Sequence, residues 1–368
     1  MLETGINVKR LQPPSGVGLF AALTAGIVIL CVSFGFSSYL RLSTLQEILL
    51  PLAACFVGVV MLGNVVVPVL QRLKAGQVIR EDGPQAHLKK AGTPTMGGIF
   101  VLPVGVTLAV ILSNFNSDVI AASLVTLAYG AMGWFDDWQI LHYKSNKGIS
   151  PIAKLGLQAL VAACFCGWLA FNHSDNLITN INLPWQLVLP IGILFWPLAM
   201  FVLIATTNST NLTDGLDGLA GGTGSIALVG LSLLIGYEHP ELAIFCACMS
   251  GSYLGFLWHN RNPARVFMGN TGSLALGGAL ASTAILSNSL WCLFVVGAIF
   301  IWESISVITQ VGYFKYTKSS TGIGKRLFKM APFHHHLELS GWKETQVVGA
   351  FYLVGMLLVL LSISLKLM

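Results

Sequence analysis

Long apolar runs with very few charged residues recur along the chain, and no other feature restricts its fold as strongly. A helix that crosses the hydrocarbon core of a membrane needs about 20 mainly apolar residues. Eleven stretches approach or reach this length, at about 16–40, 47–70, 95–113, 119–135, 152–171, 187–206, 219–236, 241–258, 272–286, 291–312 and 346–366. Charged residues make up only 10% of the chain, against about 25% in soluble domains. The sequence therefore predicts an all-α, polytopic integral membrane protein and excludes an ordinary soluble enzyme.

The basic residues indicate how the predicted helices are oriented. When the connections are assigned alternately to two sides, 18 of the 20 Lys and Arg residues fall on one side, and only Arg41 and Lys366 fall on the other. Cytosolic connections of membrane proteins carry the excess of Lys and Arg. We therefore expect a cytosolic N-terminus and an external C-terminus. The same asymmetry accounts for the net charge of +5, so the expected partner is a lipid bilayer and no nucleic acid is expected.

Acidic and amide side chains gather in two of the predicted cytosolic connections. Asp136 and Asp137 follow the fourth stretch, where two adjacent carboxylates are costly unless a cation shares the site. A second set of polar side chains recurs at every third position: Asn208, Asn211, Asp214 and Asp217. If this segment is helical, the four lie on one face, and no Lys or Arg lies between them. Carboxylates without a cation favour a divalent metal ion or a positively charged partner, and helix caps and turns are the alternative interpretation.

Two further connections have features of phosphate and base recognition. Lys90 and Thr95 lie in a segment rich in cations, hydroxyls and glycines. Phe267 lies between basic and polar residues, where its ring could stack on a base. Gly269 and Asn270 precede a predicted helix whose N-terminus favours anions.

The longest cytosolic connection contains three consecutive histidines, His334, His335 and His336. Three adjacent side chains diverge, so hydrogen bonds to phosphate oxygens are a better interpretation than a shared zinc ion. Acids for a metal ion, cations and glycines for phosphates, and an aromatic ring for a base all lie on one predicted face. Together they predict phosphoryl transfer between a soluble nucleotide and a lipid.

Four runs in these connections resemble one enzyme family: GTPTMGG at 92–98, NLTDGLDGLAGG at 211–222, VFMGNTGSLALGG at 266–278 and MAPFHHHLELSGW at 330–342. They are similar to the phospho-N-acetylmuramoyl-pentapeptide transferases, within the polyprenyl-phosphate N-acetylhexosamine-1-phosphate transferase superfamily. The resemblance covers about residues 47–368 and predicts a transferase domain there, with cytosolic active-site loops. Residues 1–46 are then a separate N-terminal segment with one additional span.

The resemblance implies about ten membrane-spanning helices around a cytosolic cleft, in the inner (plasma) membrane of a bacterium. It implies transfer of phospho-MurNAc-pentapeptide from UDP-MurNAc-pentapeptide to undecaprenyl phosphate, which gives lipid I and UMP in peptidoglycan biosynthesis. Mg²⁺ is the implied cofactor. A homodimer and contacts with cell-wall synthesis proteins are further expectations.

The resemblance also implies roles for individual residues. The implied catalytic residues are Asp136, Asp137, His334, His335 and His336. The implied substrate-binding residues are Lys90, Thr95, Asn208, Asn211, Asp214, Gly215, Leu216, Asp217, Asn260, Phe267 and Gly269. The implied metal ligands are Asn270 and Asp217. A phosphate monoester has its second pKa at about 6, so the lipid nucleophile is already largely dianionic at neutral pH, and we favour an electrostatic role for the paired aspartates over obligatory proton removal.

Two departures from the family pattern leave other functions open. The family has Asp where this chain has Asn270, which should weaken metal binding, and Lys where this chain has Ile140. Three residues could supply the missing cation: Lys144, Lys147 and Lys154. A catalytically weakened paralogue acting as a scaffold and a sister transferase that uses UDP-GlcNAc are therefore alternatives. A transporter is a third alternative, with Glu303 as the one clear acid in the middle of a span.

Overall fold

Helices make up nearly all of the architecture. The computed structural model describes residues 13–35, 42–73, 90, 92–143, 148–173 and 176–368. The helices are α1 (Gly16–Gly35), α2 (Leu42–Arg72), α3 (Gly98–Leu112), α4 (Ser117–His142), α5 (Pro151–Asn172), α6 (Phe195–Thr213), α7 (Leu219–Ile235), α8 (Pro240–Asn260), α9 (Gly269–Leu286), α10 (Leu290–Val296), α11 (Ala298–Thr321), α12 (Phe333–Leu339) and α13 (Glu344–Leu367). Two short strands, β1 (Asn180–Asn182) and β2 (Val188–Pro190), pair antiparallel between α5 and α6. The prediction of an all-α fold is confirmed.

The helices have the lengths and composition of a multi-pass membrane protein. Seven of those in the described ranges are long and apolar enough to cross a membrane, and α10 with α11 forms an eighth candidate span that bends by 71°. The shorter α3 and α7 are also apolar. Every residue of α7 is buried against other helices, so this helix lies inside the bundle. Each of the eleven predicted stretches overlaps with a helix or, for 291–312, with the bent pair.

The sixth predicted stretch is displaced along the chain. The sequence predicts a span at about 187–206, but the helix begins at Phe195 and ends at Thr213. Pro190 lies in β2, and Gly192 has a φ of +56°, a conformation that glycine adopts without strain. These residues delay the start of the helix, and the helix continues into the segment that was predicted to be a connection.

This displacement changes the setting of the four residues spaced by three. Asn208 and Asn211 lie in the last turns of α6, whereas Asp214 caps the helix and Asp217 lies in the turn that follows. The expectation that a helix places all four on one face is therefore wrong for the two acids.

A glycine in α4 allows α4 and α9 to approach closely. Gly133 lies directly against the backbone carbonyl of Asn270, at the beginning of α9, and a Cβ atom at this position would overlap with that carbonyl. Close backbone contact through glycine is typical of helices packed in membranes. The contact brings the last two turns of α4, with Asp136 and Asp137, next to the first turn of α9.

The N-terminal helix is packed on the rest of the bundle. α1 contacts α2, α7, α8 and α13. The predicted boundary after residue 46 falls within α2, which begins at Leu42. The division of the chain into 1–46 and 47–368 stays a prediction.

Candidate active site

Asp137 is held by the beginning of α9. Its Oδ1 atom accepts a hydrogen bond from the Asn270 backbone N–H at 3.0 Å. Its Oδ2 atom accepts from the Thr271 backbone N–H at 3.0 Å and from the Thr271 hydroxyl at 2.7 Å. The first N–H groups of a helix lack intrahelical partners, and the helix dipole favours a negative charge beside them. Three donors around a side chain that is only 5% exposed anchor Asp137 in place.

Asp136 is paired with a lysine from the next helix. Its Oδ2 atom lies 3.1 Å from the Nζ atom of Lys154 in the first turn of α5, and its Oδ1 atom accepts from the Ile149 backbone N–H at 2.7 Å. Lys154 is therefore a candidate for the cation that Ile140 does not provide. The other two candidates, Lys144 and Lys147, lie outside the described residues.

Asn270 joins these carboxylates to α6. Its Nδ2 atom donates to Asp136 Oδ2 at 3.1 Å, and its Oδ1 atom accepts from Asn211 Nδ2 at 2.6 Å. Asn211 also donates to the Ser273 hydroxyl at 2.8 Å. An amide can donate to one neighbour and accept from another, whereas a carboxylate can only accept. Asn270 therefore satisfies Asp136 by a hydrogen bond that an aspartate could not donate.

Asp217 belongs to a second network. Its Oδ1 atom lies 2.7 Å from Lys90 Nζ, and its Oδ2 atom accepts from Asn262 Nδ2 at 3.2 Å and from the Ala264 backbone N–H at 3.0 Å. Glu344, at the beginning of α13, lies 2.5 Å from Lys90 Nζ and accepts from the Asp217 backbone N–H at 2.7 Å. Both oxygens of Asp217 are thus occupied by protein donors, and its role as a metal ligand stays a prediction.

The charge of Lys90 is stabilised by this network. Burial alone would lower the pKa of Lys90, but the carboxylates of Asp217 and Glu344 outweigh burial and raise the pKa above its ordinary value. Lys90 therefore remains a cation at neutral pH between two acids. One positive charge against two negative charges leaves a negative balance in this group.

Asp214 is the acid with the least compensation. Among the described residues no hydrogen-bond donor or cation faces its carboxylate. Burial, together with repulsion from Asp137 and Asp217, raises the pKa of Asp214 to about 7. An acid with a strongly raised pKa close to other acids is a candidate functional group.

Replacing Asp214 with asparagine should change how stability depends on pH. Because its folded-state pKa lies above the unfolded value, Asp214 favours the folded state most at low pH, and this contribution is lost as the pH rises toward about 7. In metal-free detergent solution we expect Asp214→Asn to raise the Tm by a few degrees at pH 8 and by a clearly smaller amount at pH 5. An equal shift at both pH values would contradict this account of Asp214.

Two loops run side by side around Phe267. The Phe267 backbone N–H donates to the Pro94 carbonyl at 2.7 Å, and its carbonyl accepts from the Gly97 N–H at 2.9 Å. Gly269 has a φ of +73°, and a Cβ atom there would overlap with Asp137 Oδ2 and with the hydroxyl of Thr95. The half-buried Phe267 ring and the Thr95 hydroxyl are thus brought to the beginning of α9.

Asn260 and Asn208 both have structural partners. Asn260 is buried at the end of α8, where its Oδ1 atom accepts from the Gly218 N–H at 2.9 Å and its Nδ2 atom donates to the Val266 carbonyl at 2.8 Å. It therefore ties the Asp217 turn to the Phe267 loop. Asn208 pairs with Gln158 of α5 instead, at 2.9 Å, and does not join the carboxylates.

The three histidines have three different environments, as the divergence of adjacent side chains predicts. His334 is fully buried, and its Nδ1 atom lies 3.0 Å from Glu303 Oε2, which is also fully buried. His335 lies 2.9 Å from Glu338, and His336 accepts from the Lys329 backbone N–H at 3.2 Å.

The second ring nitrogen of His334 faces the Asp214–Asp217 turn. The Nε2 atom has no hydrogen-bond partner among the described residues, and it lies against Gly215, where a Cβ atom would overlap with it. Leu216, next along this turn, is buried. α12 and the acidic turn are therefore in direct contact through His334 and Gly215.

Two contributors to the site carry no sequence motif. Glu344 lies two positions after the last of the four runs, and Asn262 follows the better-marked Asn260 by two positions. Only the fold brings them to Asp217, which lies 127 positions from Glu344 in the sequence. The one available signal was that both lie in predicted cytosolic connections.

Comparisons with known proteins match the segments that form this site. The family model described as glycosyl transferase family 4 matches residues 119–288, which include the paired aspartates and Asn270. Signature 1 of phospho-N-acetylmuramoyl-pentapeptide-transferase matches residues 90–102, which include Lys90 and Thr95. The fold and these matches define a membrane-embedded transferase class.

Whole-chain relatives give the particular family. The phospho-N-acetylmuramoyl-pentapeptide-transferase of Trichormus variabilis is 57% identical over 361 residues, covering 98% of this chain and 96% of that protein. The protein of the same name from Nostoc punctiforme is 57% identical over 365 residues, with 98% of each chain covered. That from Synechocystis sp. is 56% identical over 360 residues, covering 97% of this chain and 98% of that protein. The chain belongs to the phospho-N-acetylmuramoyl-pentapeptide-transferase family.

Proposed function

We propose that the chain transfers phospho-MurNAc-pentapeptide from UDP-MurNAc-pentapeptide to undecaprenyl phosphate and releases UMP, as a step of peptidoglycan synthesis. The observation that carries the proposal is the convergence of Asp136, Asp137 and Lys154 at the first turn of α9. The positive end of a helix and a lysine are suited to two phosphate groups that must approach each other. The names of the relatives support the same reaction.

The arrangement favours electrostatic assistance over proton removal. The acceptor phosphate, with a second pKa of about 6, needs little help from a base at neutral pH. Asp137 already accepts three hydrogen bonds, and Asp136 is committed to Lys154 and Asn270. We infer that the two aspartates hold Lys154 and the α9 terminus in position, and that the charge of Lys154 and the positive end of the α9 dipole offset the repulsion between the phosphates.

We further propose that Mg²⁺ takes part and that Asp214 contributes an oxygen ligand. Mg²⁺ is usually bound through one or two carboxylates together with substrate phosphates, so it needs no cage of protein ligands. The described residues contain no group of three or more His, Cys, Asp or Glu side chains arranged to hold a metal ion. The uncompensated carboxylate of Asp214 fits this sparse coordination. The bound ion would neutralise charge on the diphosphate.

Asn270→Asp should raise the affinity for Mg²⁺ and increase turnover. An aspartate there adds a carboxylate ligand and removes the amide that now satisfies Asp136, so a cation becomes more favourable at this position. We expect a gain of at least about tenfold in the affinity for Mn²⁺, used as a paramagnetic substitute and measured without substrates. Asn208→Asp, which changes the same residue type outside the carboxylate network, is the matched control. Equal effects of the two substitutions would contradict this proposal.

Orientation and location complete the proposal. We propose that the site faces the cytosol and that the chain lies in the plasma membrane of a bacterium, with an external C-terminus, because the Lys and Arg excess lies on the side of the site. Cysteine substitutions at Lys318 and at Trp185, both exposed, should label from opposite sides of sealed vesicles. Labelling from one side only would overturn this orientation.

A donor-exchange assay tests the reaction itself. The purified chain with undecaprenyl phosphate should release UMP from UDP-MurNAc-pentapeptide, and UDP-GlcNAc should give little UMP under the same conditions. The reverse preference would favour the sister transferase, and no release from either donor would favour a scaffold role. The transporter alternative depended on Glu303 as an acid in the middle of a span. Glu303 is paired with His334, so this support for a transporter is removed.

A further inference from the structure

The first turn of α1 lies against a loop of the candidate site. Ser15 begins the helix, with its hydroxyl accepting a hydrogen bond from the Gly18 N–H at 3.0 Å. The next residue, Gly16, is buried against the backbone of Asn262, and a Cβ atom at Gly16 would overlap with the Asn262 carbonyl. Only glycine allows this helix to approach the loop so closely.

One turn further along α1, an aromatic ring holds the neighbouring residue of the same loop. The ring of Phe20 packs edge-on against Trp258 of α8, with centroids 5.5 Å apart. The guanidinium group of Arg261 lies 4.1 Å from the centroid of the Trp258 ring and 5.6 Å from that of Phe20. Cations over aromatic rings are attracted by the π electrons. α1 therefore fixes both Arg261 and Asn262.

Asn262 connects α1 to the acids of the second network. Its Nδ2 atom donates to Asp217 Oδ2 at 3.2 Å and to Glu344 Oε2 at 3.0 Å. A narrow cleft lies at this junction, and Gly16, Phe20 and Asp217 are among its lining residues. Two successive contacts thus lead from α1 to Asp217.

The other half of the site is held independently of α1. Asp136, Asp137 and Lys154 are joined to each other and to α9 by contacts that include no residue of α1 or of the Asn262 loop. A disturbance of α1 should therefore reach the Asp217 network and spare the paired aspartates.

We propose that Gly16 and Phe20 are positioning residues that hold the Asn262 loop, and through it Asp217, in the geometry that binds the nucleotide sugar. The proposal rests on the proposed function and adds a specific role for the N-terminal helix. α1 acts on one substrate only, so it should affect the KM for the nucleotide sugar and neither kcat nor the KM for the lipid phosphate. A helix that merely stabilised the fold would have no such selectivity.

Gly16→Ala in the full-length chain tests this role, with Gly26→Ala as the matched control in the same helix. At Gly26 an added Cβ atom would meet only the flexible end of Met356, at 3.2 Å. We expect Gly16→Ala to raise the KM for UDP-MurNAc-pentapeptide by about tenfold, with kcat and the KM for undecaprenyl phosphate within twofold of the original values. Gly26→Ala should leave all three constants unchanged. Phe20→Leu provides a second variant with the same expected direction.

The result that overturns the proposal is a parallel loss of kcat and of affinity for both substrates, or no difference between the alanine variants. Calorimetric titration with UMP supplies a readout without turnover, in which Gly16→Ala and Phe20→Leu should weaken binding and Gly26→Ala should not. If the original chain binds UMP and these variants weaken that binding, the role of α1 is supported even when no transfer is detected. The missing transfer would then count against the proposed function and not against the role of α1. If UMP binding is equal in all four proteins, the role of α1 is wrong.

Discussion

Replacing Lys154 with methionine should lower kcat by about 100-fold, with the protein still folded. Methionine keeps the length of the side chain and removes the charge that lies 3.1 Å from Asp136. Asp136 would then lack a countercharge beside Asp137 and would repel both incoming phosphates. In the proposed reaction, the positive charge of Lys154 offsets the repulsion between Asp136 and the two phosphates.

UMP release at saturating concentrations of both substrates is the measurement. Lys154→Arg should retain more activity than Lys154→Met because it keeps the charge. Lys318→Met removes an exposed charge near the end of α11 and should leave kcat unchanged. A value of kcat for Lys154→Met within threefold of the original would show that this lysine is not part of the phosphate site.

Replacing Glu303 with leucine should destabilise the protein and inactivate it together. Glu303 and His334 are both fully buried, and their contact of 3.0 Å joins α11 to α12. Leucine leaves His334 Nδ1 without a partner in a dry environment, which costs about 3 kcal/mol for a buried hydrogen-bonded group of this kind. His334, which faces Gly215 at the acidic turn, would also lose its fixed orientation.

A double substitution separates the two effects. Glu303→Leu combined with His334→Phe removes both polar groups, so its Tm should lie above that of Glu303→Leu alone. Its activity should stay as low as that of the single variant, because the imidazole is absent. Thermal unfolding in detergent and UMP release provide the two measurements. Additive losses of stability in the double variant would mean that the two side chains do not interact.

The sequence predicts most of this architecture because a membrane imposes a strong and simple requirement on each helix. Length and hydropathy locate all eleven helical stretches. The start of one helix is misplaced: α6 begins later than predicted, because hydropathy cannot distinguish an apolar strand such as β2 from the first turn of a helix. The two acids after α6 consequently lie in a turn.

The sequence predicts which residues form the candidate site, but it predicts only part of their contacts with one another. Asp137 and Asn270 belong to separate motifs, and the sequence places them on one face of the membrane without showing that one caps the helix of the other. The sequence also left open which of three lysines lies beside Asp136, because that depends on how the first turn of α5 packs against α4. The partnership of Asp217 with Glu344 could not be read from motifs, because no periodicity links two residues so far apart in the chain.

The simultaneous appearance of two products tests the central claim most directly. We predict that the purified chain, supplied with UDP-MurNAc-pentapeptide, undecaprenyl phosphate and Mg²⁺, forms UMP and lipid-linked phospho-MurNAc-pentapeptide in equal amounts, and that Lys154→Met loses both together. UMP without the lipid-linked product, or the lipid-linked product at undiminished rate in Lys154→Met, would contradict a site in which this lysine brings the two phosphates together.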